Sequence, residues 1–257
     1  MTSIAEINRT APSLTADAPW KWLSAGWRDM MKAPHLSIGY GVFVIGGGAL
    51  IIYALWSTGL SALIPVALGV FAIVGPLLAL PLYEKSRRIE AGEEPRLTPV
   101  QFAGPRSLTQ IAYIGFFLMF AALVWVRLAM VLYALFTTGN YMPLDDFLAF
   151  ALSTGPGLTM IAVGTVVGGF IAFSIYLLTV VSIPMLMHER TDPFTAIAAG
   201  IVAMQKNSAA MLLWAWLIAV ITAAGVATAF VGLAIAFPLL GHATWHAYRA
   251  VRGATDS

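Results

Sequence analysis

The run "GHATWHAYRAVRG" carries two histidines, His242 and His246, four residues apart and so on one face of a helix. Two imidazoles at that spacing can ligate a metal or a haem. The pair supplies only half of the roughly four ligands that zinc takes, whereas haem or copper at His242 and His246 is less restricted. Two other readings stand beside ligation: hydrogen-bonded helix packing, and a proton- or substrate-handling role inside a membrane. Arg127 is the third candidate, the lone basic residue within a long apolar stretch. On a helix counted from residue 108 it lies about 28 Å along. There it can snorkel or pair with Asp145 or Asp146, or else line an anion or proton pathway. No "HExxH", "GxxxxGK", "GxSxG" or dinucleotide fingerprint is present. The absence of cysteine removes thiol catalysis and thiolate metal sites. We therefore expect no catalytic residue, assign no metal and read the chain as a non-enzyme.

The elements that must position these groups follow from composition. Of 257 residues, 60% are hydrophobic and 10% charged, with a mean hydropathy of +0.84. A soluble domain carries about 25% charged residues, so this is an all-α, polytopic membrane helical bundle in contact with the lipid bilayer. A crossing helix needs roughly 20 apolar residues. About six segments qualify as three hairpins: 36–57, 61–82, 108–136, 158–187, 208–227 and 230–248. Residues 1–18 read as a disordered tail and 19–252 as one membrane domain.

Orientation follows from the basic residues. Of the 14 lysines and arginines, all except Arg127 fall on one side if six helices cross. The opposite side, including "TTGNYMPLDDFLAFALSTGPG", has none. The positive-inside rule then places both termini in the cytoplasm. A net charge of +2 gives no reason to expect nucleic acid as a partner.

The cytoplasmic segments are patterned. In 19–32, Trp20, Leu23, Trp27, Met30 and Met31 form a stripe, with Asp17 as cap and Pro19 in the first turn; this predicts an interfacial helix. In "DPFTAIAAGIVAMQKN", Asp192 caps and Phe194, Ile197, Ile201 and Met204 share a face. "YEKSRRIEAGEEP" predicts a charged cytoplasmic extension bearing Glu84, Arg87, Arg88 and Glu90, with Glu84 and Arg88 spaced to pair and Gly92 as terminator. Trp245 and Tyr248 read as an aromatic belt with His246 at the rim, and His242 is either at that rim or inside the hydrocarbon. Gly46, Gly47 and Gly48, and Gly164 with Gly168, predict close helix packing. A recurrence also appears in "LALPLYEK", "VSIPMLMH" and "IAFPLLGH": four residues after each proline stands Lys85, His188 or His242. With no fixed period, three hairpin units and chance recurrence both remain open.

"GWRDMMKAPHLSIGYG", "GPLLALPLYEKSRRIEAGEEPRL" and "GLAIAFPLLGHATWHAYR" together resemble a proteobacterial family of uncharacterised polytopic integral membrane proteins, a domain of unknown function. The resemblance implies a bacterial inner-membrane protein without an assigned activity. Some relatives carry a label linking them to cytochrome c oxidase subunit I, but four histidines are too few for that subunit's haem and copper ligands. The family therefore transfers no catalytic residue. The expected function is that of an accessory, scaffold or assembly factor acting on another membrane protein complex. The alternatives are a small transporter or channel, and a haem- or copper-binding accessory protein of a respiratory oxidase.

Overall fold

The structure, a computed structural model, describes residues 12–97, 107–138 and 142–253. Residues 1–11 of the expected tail lie outside it. The described residues are helical and include no strand. The helices are α1 (Ala18–Lys32), α2 (Pro34–Ser57), α3 (Ile64–Leu78), α4 (Leu80–Glu90), α5 (Ser107–Thr137), α6 (Leu144–Ser153), α7 (Gly155–Thr179), α8 (Ser182–His188), α9 (Pro193–Lys206), α10 (Ser208–Ala227) and α11 (Leu233–Val251); a short 3-10 turn, Ser61–Leu63, precedes α3.

Five stretches among the described residues are long and apolar enough to cross a bilayer: Pro34–Ser57, Ser61–Glu90, Leu108–Thr137, Gly155–His188 and Ser208–Ala227. Two of them are broken near a proline, at Ala79 before Pro81 and at Val180–Val181 before Pro184. Proline has no N–H to give and its ring crowds the preceding turn, so the helix restarts with Pro81 in its first turn. α11 follows α10 across the turn 228–232, where Ala229 and Phe230 have positive φ. Its 19 residues span about 28 Å.

The described residues fall into two compact units. The first draws on the described residues within Met1–Ile45, Pro76–Gly115 and Tyr176–Ser257; the second on those within Gly46–Gly75 and Phe116–Ile175.

In the first unit α11 is the central helix, with Ala236, Gly241, His242, Ala243, Trp245, Ala247 and Tyr248 all buried. α1 lies along it. Gly26 meets Ala243 and Asp29 meets His246, so the two helices advance in the same direction. α2 then runs back past α11, with Ser37 at His242 and Gly41 against the Ala234 carbonyl. Trp22 of α1 meets Trp214 of α10 edge-on at 5.7 Å.

This packing divides α1 into two faces, with Met30 the one member of the expected stripe that is buried. Trp22, Ala25, Gly26, Asp29 and Met30 are buried, whereas Trp20, Trp27 and Met31 are exposed. α9 repeats the arrangement: Ala196, Ala199, Gly200 and Ala203 pack inward while Phe194 and Ile201 face outward. Lipid solvates large apolar side chains at no penalty, and small residues let backbones approach, so the small-residue face becomes the packed one. The caps also differ. Asp192 accepts from the Thr195 amide at 3.0 Å, and hydrogen bonds from the Thr195 hydroxyl and amide hold its carboxyl below the ordinary value. Asp17 makes no capping bond and instead pairs with Lys21. Residues 12–14, read as tail, are fastened: Leu14 N donates to Asn207 Oδ1 at 2.7 Å and Asn207 Nδ2 donates to the Pro12 carbonyl at 3.1 Å.

In the second unit Trp125 of α5 is the organising side chain. Its Nε1 donates to the Val66 carbonyl at 2.9 Å, and Gly69 and Gly168 both lie against its ring. The segment read as an outer loop contains α6, whose first turn carries Asp145 and Asp146. Carboxylates there complement the partial positive charge of a helix N-terminus.

Candidate functional site

His242 is fully buried, about 14 Å along α11 from Leu233. It is enclosed by protein. Burial of so polar a ring requires hydrogen bonds, and both nitrogens have one. Nε2 lies 2.9 Å from Ser37 Oγ and Nδ1 lies 2.8 Å from Ser86 Oγ. Lys85, also fully buried, donates from Nζ to Ser37 Oγ at 2.5 Å and to the Ala33 carbonyl at 3.0 Å. At the other end the Ser86 hydroxyl hydrogen-bonds the Asp29 carboxylate, whose Oδ2 also accepts from His246 Nε2 at 2.8 Å. Lysine only donates and an ionised carboxylate only accepts. With both end groups charged, the chain has one consistent polarity: Lys85 to Ser37, Ser37 to His242 Nε2, His242 Nδ1–H to Ser86, and Ser86 to Asp29. His242 is thereby the Nδ1–H tautomer.

Each member is held by a different packing feature. α1 carries Asp29 to α11 because Gly26 permits close approach. The α1–α2 break at Ala33 leaves that residue's carbonyl available to Lys85 and turns Ser37 inward. The Pro81 restart sets the register of α4, so that Glu84, Lys85 and Ser86 are all fully buried. For Asp29, burial alone would raise the carboxyl; the His246 hydrogen bond and charge, together with Ser86, outweigh it and hold the group below its ordinary value.

Around this network runs a set of ion pairs. Arg87 grips Glu84 through two bonds of 2.9 Å, and Arg88 reaches Glu93 at 3.2 Å. The expected Glu84–Arg88 pairing is therefore replaced by Glu84–Arg87, because the three-residue spacing brings Arg87 onto both carboxylate oxygens. α4 ends at Glu90, with Gly92 at φ +71°. Glu90 accepts from Trp245 Nε1 at 3.0 Å and from Arg249 at 2.9 Å. Tyr248 donates to Glu189 at 2.7 Å, and Arg252 binds the same carboxylate through two bonds. Trp245 and Tyr248 are fully buried among these groups and form no aromatic belt; His246 keeps a partly exposed edge.

The prolyl recurrence acquires a spatial meaning. Lys85 and His242 meet through Ser37, while His188 lies 2.9 Å from the Tyr248 hydroxyl and edge-on to Trp245. The three helices that carry them meet one another, α4 and α8 each packing on α11. The sequence reading missed Asp29, Ser37 and Ser86. Asp29 carried a signal, being an acid next to the Trp27–Met30 stripe; the two serines carried none.

Arg127, Asp145 and Asp146 are exposed and form no ion pair with one another. Among the described residues no group of three histidines or carboxylates is placed to hold a metal. Ligation at His242 would displace Ser37 or Ser86.

Long apolar helices in an all-helical chain, closed around buried polar groups, define a polytopic integral membrane protein. Residues 63–188, from α3 through α8, match a family model described as "Predicted integral membrane protein (DUF2189)", so the expected kinship with an uncharacterised polytopic membrane family holds over that stretch. Asp29, Ser37, His242 and His246 lie outside the matched residues. No curated protein and no solved structure matches the chain.

Proposed function

We propose that the protein is a non-enzymatic accessory or assembly factor of the bacterial inner membrane, with both termini cytoplasmic, that binds another integral membrane protein through helix faces of the second unit. The observation that carries this reading is a set of small-residue faces left open. A β-carbon added at Gly46, Gly47 or Gly48 of α2, or at Gly155, Gly164 or Gly169 of α7, would meet nothing within 4 Å. Small residues in membrane helices serve close approach of a second backbone. Elsewhere on these two helices Gly41 and Gly157 do meet backbone of this chain, and Gly168 meets the Trp125 ring.

Photo-cross-linking tests this. A photoreactive residue at Gly47 or Gly164 in native membranes should give one discrete protein adduct, and the same group at lipid-facing Phe170 should not. Lipid adducts alone from all three positions would refute the reading.

A second reading, a small transporter or channel, draws on the buried ionisable groups of the first unit. It requires that purified protein in liposomes move a solute or ion at a rate lost in His242→Ala.

A further inference from the structure

We propose that Asp29, Ser86, His242, Ser37 and Lys85 form a proton relay, loaded at the Asp29–His246 edge and ending on the buried amine of Lys85. Three observations point to it. The groups are joined by an unbroken run of hydrogen bonds, those from Lys85 through Ser37 and His242 to Ser86 measuring 2.5 to 2.9 Å. Every interior member both donates and accepts, as a relay requires. The run has one edge near solvent, where the His246 side chain keeps 13% exposure, while Lys85 and His242 have none.

The transfer balances without any co-reactant. A proton from water reaches the Asp29 carboxylate by way of His246. Asp29 passes it to Ser86 Oγ, and Ser86 gives its own proton to His242 Nδ1. His242 releases the Nε2 proton to Ser37 Oγ, and Ser37 gives its proton to the neutral Lys85 amine. Only O–H and N–H bonds are made and broken. The product is a carboxylate, an Nδ1–H imidazole and an ammonium, the polarity derived above for charged ends. The reverse passage leaves a neutral carboxyl and a neutral amine, with the other tautomer between them. The ionisable groups facing the run are Asp29 from α1, Lys85 from α4, and His242 and His246 from α11. α2 contributes the neutral Ser37, and its own His35 is exposed. On α4, Glu84 is already taken by Arg87.

Because the imidazole gives up a proton at one nitrogen only as it gains one at the other, breaking the run on either side of His242 should slow exchange of its ring proton. The full chain, labelled with ¹⁵N-histidine and uniformly ¹⁵N in lipid nanodiscs, is moved into D₂O and exchange of the His242 ring proton is followed. Its signal is assigned by its loss in His242→Gln. In the wild type, the ring proton should exchange about tenfold or more faster than the amides of Ala243 and Ala247, which exchange only through local opening. Ser86→Ala, which cuts the run on the loading side, should slow it to the amide rate. Ser37→Ala, which cuts it on the lysine side, should slow it as well, because Nε2 then has no donor. Asp29→Asn, which keeps the shape but removes the loading carboxylate, should act like Ser86→Ala. Unchanged amide exchange in α11 verifies the fold of each variant. Wild-type exchange no faster than those amides, or equal rates in wild type, Ser86→Ala and Asp29→Asn, would overturn the relay.

Discussion

Gly26 of α1 and Ala243 of α11 are so close that a β-carbon at position 26 would fall 2.6 Å from the Ala243 nitrogen and 2.9 Å from its Cα. Backbone cannot yield as a side-chain tip can. Gly26→Ala must therefore push the two helices apart, and with them Asp29 from His246 and Ser86. Overpacking of this kind costs about 1–3 kcal/mol. We expect a lower unfolding midpoint in detergent, together with faster amide exchange across α1. Gly39→Ala, with open space around it, should change neither.

Glu84 is fully buried, and Arg87 holds its carboxylate through two bonds. Removing the arginine leaves a desolvated carboxylate, and truncating one partner of such a pair costs about 3–5 kcal/mol. Arg87 keeps a partly exposed edge, so Arg87→Ala should fall at about 3 kcal/mol. The double variant Glu84→Gln, Arg87→Met removes the charge with its partner and should recover most of that loss. Chemical denaturation of the three proteins in one detergent checks the ordering.

The Asp29–His246 link should make α1 docking acid-sensitive. The folded-state carboxyl of Asp29 lies below its ordinary value. Its contribution is thus complete above the unfolded value of about 3.9 and is lost as pH falls through the lower folded value. Hydrogen exchange of the α1 amides, measured stepwise from neutral pH downward, should accelerate only below about pH 4. Asp29→Asn should abolish the acid step while raising exchange at neutral pH, because the charge-assisted bond to His246 is gone.

How much of this was legible in the sequence depends on what each pattern measures. Length and apolarity report the long apolar helices directly, but the count differs. Six crossings were expected and five stretches are long and apolar enough, the segment 230–248 not being among them, and the breaks before Pro81 and Pro184 were not read. The stripes of α1 and α9 were legible as periodicity but not as direction. In water a bulky apolar stripe faces the core, whereas Trp20, Trp27, Phe194 and Ile201 face outward and the alanines and glycines beside them do the packing. The buried network was half legible. Lys85 and His242 share a proline-relative position, and that recurrence turned out to mark residues that meet. Ser37 and Ser86 could not be found that way, because a serine's role here is set by which helices cross at His242, a tertiary fact without a local spacing. Arg127 stood out by composition alone, and composition does not say what surrounds a side chain.

In the second unit, Trp125 carries two jobs that separate cleanly by substitution. Its Nε1 donates to the Val66 carbonyl at 2.9 Å, and its ring fills the space above Gly69 and Gly168. Trp125→Phe removes the donor and part of the ring, leaving a backbone carbonyl with one bond fewer. Losing a hydrogen bond of this kind costs about 0.5–1.5 kcal/mol. Gly69→Ala attacks the same contact from the other side, since its β-carbon would overlap the ring edge at Nε1 and Cε2. If the ring and the carbonyl bond form one unit, the double variant Trp125→Phe, Gly69→Ala should be less destabilised than the sum of the two single variants, because the smaller ring relieves the overlap. Unfolding free energies of the four proteins in one detergent give the coupling, and strict additivity would show that Gly69 and Trp125 act independently.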